Sequence, residues 1–579
     1  MRVIRSFCAI DAPSRRRSSS QFHGTQKNKS IGILTAFHRR QQRQQQKRAI
    51  IPNITSAQMM MPKTTPDSLK RLQNGSDVRG VALDGIENEP ITITPESVFC
   101  LGCAFVEWLR EEKKIKGDVS VGIGRDPRLS GPTLKDAFAL GVQFKNGKAI
   151  DCELSTTPAC FFATVDDPEL GPAYEGCVML TASHLPFNRN GIKFFTKDGG
   201  LDKKDVGFMC ERAGKYIADA EKEMSKGTEA NIESRPYIDK YSSILRDKII
   251  EGINDGTDKP LKGFKIVVDA GNGSGGFFTS KVLEPLGADC TGSQFLDPDG
   301  MFPNHAPNPE EKEAMESATK AVLANKADLG IVFDTDVDRS AVIDSYGKEI
   351  NRNKLIAVLS HIALQKEPGS TIVTDSVTSS GLKTFIENEG GKHLRYMRGY
   401  KNVINKGIEL NSKGISAPLM IETSGHGAMK ENYNLDDGAY LAVKIIIEAV
   451  KRKNTGGGGI GEILENLKEP LESSEVRLKI ANPEFKKVGS DVIERFKQAI
   501  ENGYFEPNFV CAKENFEGIR AESEGKGWFL LRSSLHDPVM VLNIESDEKG
   551  GVNKYAKQIV KWFEDKKFED VDASAIAKI

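Results

Sequence analysis

Thr181-Ala182-Ser183-His184-Leu185-Pro186-Phe187-Asn188-Arg189-Asn190-Gly191-Ile192-Lys193-Phe194-Phe195 follows directly on Cys177-Val178-Met179-Leu180. The four apolar residues read as a short buried strand bounded by turn residues. A strand that ends in Ser-His, meets a proline and turns through Asn-Arg-Asn-Gly presents the Ser183 hydroxyl on a loop held by a rigid element. Neighbouring side chains of an extended segment point to opposite sides, so Ser183 beside His184 is not by itself a hydrolytic pair. No Gly-x-Ser-x-Gly elbow surrounds it.

The same alternation of strand, turn and helix extends outward. Val119-Ser-Val-Gly-Ile-Gly124 is a strand, Arg125-Asp126-Pro127-Arg128-Leu129-Ser130-Gly131 a charge-rich turn, and 132–143 a helix. Phe264-Lys-Ile-Val-Val-Asp269 leads through Gly271-x-Gly273-x-x-Gly276 into a helix ending near Leu286. That glycine spacing matches the dinucleotide fingerprint, but the acidic residue expected at the end of the next strand, about twenty positions on, is missing, so the glycines are read as a tight strand-to-helix turn. Further strands fall at Thr371-Ile-Val-Thr374 and Pro418-Leu-Met-Ile421, with a helix over 439–453 and a loop tip at Asn454-Thr-Gly-Gly-Gly-Gly459. Last come Gly527-Trp-Phe-Leu-Leu531 and Val539-Met-Val-Leu-Asn-Ile544, flanking Arg532-Ser533-Ser534-Leu535-His536-Asp537-Pro538. This order predicts three α/β units built on largely parallel sheets, then a smaller strand-rich unit.

Eighty Lys and Arg against 81 Asp and Glu leave a net charge of -1, which gives no electrostatic ground for nucleic acid or an anionic membrane as partner. No apolar stretch is long enough to span a bilayer. Nine cysteines lie scattered, mostly in apolar runs, as buried thiols of a reducing compartment do; Cys100-x-x-Cys103 sits inside a helical segment and is read as packing. The first fifty residues carry twelve Lys or Arg and one acid, Asp11, among serine and glutamine clusters, the composition of an organelle transit peptide.

Three further stretches carry chemistry. In Asp334-Thr-Asp336-Val-Asp338-Arg339, three carboxylates at alternate positions follow an apolar strand. They cannot all be buried without a cation, and oxygen-only ligands favour Mg²⁺. Arg339 adds a planar donor fork suited to phosphate oxygens. With an acidic metal loop elsewhere, Ser183 reads as a phosphoryl carrier. Glu422-Thr423-Ser424-Gly-His426 offers a carboxylate and a hydroxyl suited to the vicinal hydroxyls of a sugar, and Arg532, Ser533 and Ser534 suit a distal phosphate.

Taken in order, these four stretches resemble the α-D-phosphohexomutase superfamily: a phosphoserine loop at 181–195, a metal loop at 334–339, a sugar loop at 422–426 and a phosphate loop at 532–538. Asp77-Val-Arg79-Gly80, Gly124-Arg125-Asp126-Pro127-Arg128 and Phe302-Pro303-Asn304-His305 support the match. The resemblance implies a four-domain molecule with a central cleft, made of three related α/β/α layered domains and a smaller C-terminal α+β domain. The expected division is a leader over 1–65, domains at 66–250, 251–356 and 357–469, and the C-terminal domain at 470–579. It also implies interconversion of hexose 1- and 6-phosphates of glucose and/or mannose through a hexose 1,6-bisphosphate. Ser183 would carry the phosphate and share Mg²⁺ with Asp334, Asp336 and Asp338. Lys193 and Arg79 match acid/base or charge-stabilising positions, His184 adjoins the nucleophile, and Tyr400, next to Lys401, stands where some relatives place a catalytic histidine. The expected partner is a phosphosugar, with the chain a monomer or homodimer. The family's carbohydrate role directs the leader to the plastid, with the mitochondrion or cytoplasm as alternatives.

The sequence departs from the family pattern at Leu185 (usually Asn), at Thr423 in the sugar loop, and at Leu535, His536 and Asp537, where Gly, Thr and Glu are typical. The last change removes part of a backbone-and-hydroxyl cradle for phosphate, which a protonated His536 would offset. Two other readings remain open at this point. One is a haloacid-dehalogenase-type phosphatase using Asp334 as nucleophile, with Asp436-Asp437 as its late acidic pair. The other is a sugar-phosphate-binding protein without turnover.

Overall fold

In the computed structural model, which describes residues 62–165, 167, 173–227, 230–534 and 537–579, four sheets follow one another along the chain. Residues 1–61 of the expected leader, and Leu535 and His536 of the phosphate loop, lie outside the described residues. The leader is expected to reach residue 65, yet Thr64 and Thr65 already belong to the fold. Thr64 is buried and shares a hydrogen bond with the Thr94 hydroxyl, 3.1 Å away. Thr65 caps the helix Pro66–Arg71 through a reciprocal box with Ser68. Thr94, followed by Pro95 and boxed by Ser97, starts the helix Pro95–Glu111 in the same way. Cys100 and Cys103 are wholly buried in that helix, and burial pushes the Cys100 thiol up to about 12, so the pair is packing.

The first sheet has eight strands, the second four, the third five and the fourth six. The first three are mixed, which corrects the expectation of largely parallel layers. Ser120–Arg125 pairs parallel with Lys148–Leu154 and Gly176–Leu180, as Leu329–Phe333 does with Ile266–Asp269 and Thr371–Asp375 with Leu419–Ile421. In each of these sheets, however, one of these strands turns straight back on itself. Gly176–Leu180 returns as Arg189–Thr196, Leu329–Phe333 as Ser340–Asp344, and Leu419–Ile421 as Gly427–Met429, all antiparallel. The all-antiparallel fourth sheet repeats the device with Gly527–Ser533 and Val539–Ser546. A hairpin needs only a short loop where a parallel return needs a crossover. All four stretches singled out in the sequence are therefore hairpin loops at strand ends, and each sheet holds one of them rigidly.

Apolar packing joins the second and third units. The helix Ile238–Ile253 buries Tyr241, Leu245 and Ile249 in one core with Ile445 and Ile446 of the helix Gly438–Asn454. Gly252 meets Ile447 so closely that a Cβ there would lie 2.4 Å from its Cδ1. The boundary expected at 250/251 thus falls inside a helix that packs on later elements. The Gly271–Gly276 turn is close-packed as well: a Cβ on Gly276 would stand 2.1 Å from the Leu296 carbonyl oxygen.

Candidate active site

Ser183, Asp334, Asp336, Asp338, Lys193 and Arg339 converge, all at most 5% exposed. Ser183 Oγ donates to Asp334 Oδ2 at 3.0 Å and receives Arg339 Nη2 at 3.2 Å. His184 Nδ1 lies 2.9 Å from the same Arg339 nitrogen. Burial, with the charges of Arg339 and Arg79 beside it, pushes the His184 imidazole down to about 3, so it stays neutral. Lys193, on the strand that returns from the Ser183 loop, reaches Asp336 at 2.8 Å and also pairs with Asp338. Burial opposes its charge, but the two carboxylates outweigh that and hold its ammonium well above the usual range.

The three aspartates offer carboxylate oxygens within 4.8 Å of one another. Burial and the charges of Asp338 and Asp336 push the Asp334 carboxyl well above its ordinary value. Asp336 Oδ1 and Asp338 Oδ1 are buried with no hydrogen-bond partner among the described residues. Buried carboxylate oxygens left without donors and crowded by like charge fit a hard divalent cation.

The sugar loop adjoins the metal loop through a β-bridge between Arg339 and His426. A Cβ on Gly438 would stand 2.5 Å from the Arg339 backbone, so only glycine lets the third unit come this close. His426 Nδ1 bonds Asp436 Oδ2 at 2.7 Å, and its ring stacks on Tyr400 with centroids 5.0 Å apart. Burial disfavours the charged ring, but Asp436 and Asp338 push it up to about 9. In metal-free protein, stability from charged His426 is fully present below its unfolded value near 6.5 and is lost as pH rises through about 9. Thermal melts in EDTA across that window should fall, and less steeply in His426→Gln.

Glu422 Oε1 accepts the Gly399 N–H at 2.6 Å, and Ser424 Oγ lies 3.4 Å from Oε2. Burial and Asp375 push the Glu422 carboxyl up to about 7. Tyr400 reaches back to the first unit, its hydroxyl 3.3 Å from Ser76 Oγ and 3.5 Å from Asp77 Oδ1, while Arg79 holds Asp77 at 3.0 Å. Lys401 does not join this group: its ammonium donates to the Gly200 carbonyl. In the phosphate loop, Arg532 Nε is buried without a partner among the described residues. Ser533, expected beside it, lies on the opposite face of the strand, its Oγ against Gly489 of the helix Phe485–Glu501. Ser534 Oγ accepts the Asp537 N–H at 3.2 Å.

Several partners escape sequence reasoning. Thr157 donates to Asp336 Oδ2 at 2.5 Å, and nothing in its local sequence signals this. Thr423, the altered sugar-loop residue, is tied to buried Asp375 at 2.8 Å. Asp436 and Asp437, the candidate phosphatase pair, have other partners: Asp436 holds His426, while Asp437 caps the helix Gly438–Asn454 and accepts from Tyr241.

Residues 70–213, 237–347 and 351–469 match the family models for phosphoglucomutase/phosphomannomutase α/β/α domains I, II and III. A phosphomannomutase/phosphoglucomutase of Pseudomonas syringae pv. tomato is 28% identical over 491 residues, 84% of this chain and 93% of that protein. A phosphoglucomutase of Neisseria gonorrhoeae is 28% identical over 469 residues, 80% of this chain and 92% of that one. A solved phosphoglucomutase/phosphomannomutase family protein of Burkholderia thailandensis shares the fold, with a TM-score of 0.66 at 24% identity, covering 86% of this chain and 98% of that one. With three consecutive domains matched over more than half of its length, the chain belongs to the phosphoglucomutase/phosphomannomutase family of the α-D-phosphohexomutase superfamily.

Proposed function

We propose that this chain is a phosphohexomutase, an isomerase interconverting hexose 1-phosphate and hexose 6-phosphate of glucose and/or mannose. Phosphate is carried on Ser183, and a hexose 1,6-bisphosphate is the intermediate. One observation carries the reading: Ser183 Oγ, almost wholly buried, lies within hydrogen-bond distance of both Asp334 and Arg339. A bystander loop serine has no reason to sit between a carboxylate cluster and a guanidinium contributed by another sheet.

In the first half-reaction the bond from phosphorus to Ser183 Oγ breaks as one forms to the free hydroxyl of the bound hexose phosphate. The proton lost by that hydroxyl is made up on Ser183 Oγ. The bisphosphate then turns round and returns its other phosphate to the serine. Arg339, already in contact with Oγ, offers donors to the phosphoryl oxygens as charge spreads over them. Lys193 contributes a second cation fixed before the reaction. Neutral His184 accepts from Arg339 and helps to orient it. Asp334, Asp336 and Asp338 would hold Mg²⁺, which when bound polarises the phosphoryl oxygens. Glu422 and Ser424 face the sugar hydroxyls, and Arg532 takes the phosphate that is not reacting.

The test is a substrate panel. Purified protein with Mg²⁺ and a trace of glucose 1,6-bisphosphate is assayed in both directions on the 1- and 6-phosphates of glucose, mannose and glucosamine. Turnover on glucose or mannose phosphates, stopped by EDTA, is expected. Binding without turnover across the panel would leave a sugar-phosphate-binding protein.

A further inference from the structure

Two motifs, Gly124-Arg125-Asp126-Pro127-Arg128 and Phe302-Pro303-Asn304-His305, have no part in the chemistry above. They meet behind the Ser183 loop. Arg128 is completely buried, and each of its five guanidinium N–H groups has an acceptor. Nη2 donates to the Ser183 and Leu185 carbonyls at 2.5 and 2.7 Å, and Nη1 to those of Pro186 and Arg189 at 2.5 and 3.0 Å. Nε donates to Asp126 Oδ2 at 3.0 Å. The same Asp126 oxygen accepts from Thr181 Oγ1 at 2.7 Å, and Thr181 Oγ1 in turn accepts the Ser183 N–H at 2.9 Å. Both main-chain polar groups of Ser183 are thus held from the Asp126–Arg128 pair.

Ser183 needs such a grip. Its φ is +50°, in the left-handed region that a residue with a Cβ rarely adopts, and surrounding contacts must supply the difference. The second unit closes the arrangement from behind. The Phe302 ring lies 5.1 Å from the Arg128 guanidinium carbon, within cation–π range, and the Phe302 φ is itself +48°. Gly300 presses on the turn, where a Cβ would come within 2.3 Å of the Pro127 carbonyl oxygen.

We propose that Arg128 is a positioning residue for phosphoryl transfer. Acting through the Ser183 main chain, with Phe302 of the second domain as its backstop, it keeps Oγ facing Asp334 and Arg339. The inference rests on the reading of Ser183 as phosphoryl carrier. Misplacing a reacting atom by about 1 Å costs on the order of 10²-fold in rate, which sets the expected size of the effect.

The full chain is compared as wild type, Arg128→Lys, Phe302→Leu and Arg110→Met. Arg110 makes the same kind of contact, donating to the Lys145 and Asn146 carbonyls at 2.6 and 3.1 Å, with none of the site residues as a partner. Thermal midpoint, KM for glucose 1-phosphate and kcat per phosphorylated molecule are measured, the last counted by intact mass after exposure to glucose 1,6-bisphosphate. Arg128→Lys should lose about 10²-fold in kcat with KM within about twofold, or fold without accepting phosphate. Phe302→Leu should lose about tenfold in kcat with KM unchanged. Arg110→Met should lower only the thermal midpoint. An Arg128→Lys chain that folds and turns over within about threefold of wild type per phosphorylated site overturns the proposal. Should that chain fail to fold, Phe302→Leu decides, and unchanged kcat there overturns it. Failure of the underlying reading looks different, because wild-type protein would then carry no phosphate on Ser183.

Discussion

Ser183→Ala is expected to lower turnover by at least about 10⁴-fold and to remove the phosphate label, while leaving the fold and its metal-dependent melting in place. The fold survives because the loss is confined to the hydroxyl's hydrogen bonds to Asp334 and Arg339, worth about 1.5–3 kcal/mol each, and both partners keep others. Asp334 keeps Arg339 at 3.2 Å, and the Ser183 main chain keeps Thr181 and Arg128. The chemistry does not survive, since no other hydroxyl of the described residues touches both Asp334 and Arg339. Label chemistry distinguishes this from the aspartyl alternative. A serine phosphate survives acid and hydroxylamine, whereas an acyl phosphate on Asp334 is cleaved by hydroxylamine. A hydroxylamine-labile label that persists in Ser183→Ala would sink the assignment.

The leading half of each hairpin is legible in the sequence. Cys177-Val-Met-Leu180 and Leu329–Phe333 are apolar runs followed directly by polar residues, and they are buried central strands. The returning strands are harder to read. Ser340–Asp344 starts with serine, ends with aspartate and is buried throughout, because it carries the metal loop back into the sheet and not out to solvent. Arg189–Thr196 opens on charged and amide residues, which the composition of a loop also has, yet seven of its eight residues are buried. Buried parallel strands announce themselves by hydrophobicity. A strand with a functional loop at its end carries polar groups that only tertiary partners can satisfy.

The site shows the same division. Ser183, the three aspartates and Arg339 are legible because their chemistry is concentrated in a few adjacent residues. The roles of Thr157, Asp375 and Arg128 are not, because each acts through partners distant in sequence: Asp336, Thr423 and the loop carbonyls. Adjacency to Arg532 suggests Ser533 for the cleft, and alternation along the strand puts it on the other face. Lys401 follows Tyr400 into the expected site by the same adjacency, although the Gly200 carbonyl takes its ammonium.

Asp334→Asn is expected to act in opposite directions with and without divalent cation. Without it, three buried carboxylates whose oxygens lie within 4.8 Å of one another face Lys193 and Arg339, with His426 3.8 Å from Asp338 but already paired with Asp436. Asp334 is the strained member, its carboxyl pushed well above the ordinary range by burial and by Asp338 and Asp336. At the effective dielectric of protein sites, each like-charge contact at such separations costs about 3–4 kcal/mol, and the attraction to Arg339 offsets part of this. An amide keeps the shape and an acceptor for Arg339 while removing the charge, so in EDTA the variant should melt no lower than wild type. Wild type should gain about 2.7 kcal/mol when Mg²⁺ stands at about a hundred times its dissociation constant. The variant should gain almost none of this and should lose at least about 10³-fold in kcat, because the charge that fixes the cation beside Ser183 is gone. Paired melts in EDTA and in saturating Mg²⁺ decide the matter. An Asp334→Asn chain that still gains full stability from Mg²⁺ would show that the cation is held elsewhere, and one that melts far lower in EDTA would show that Asp334 is a structural ion pair with Arg339 and not a strained ligand.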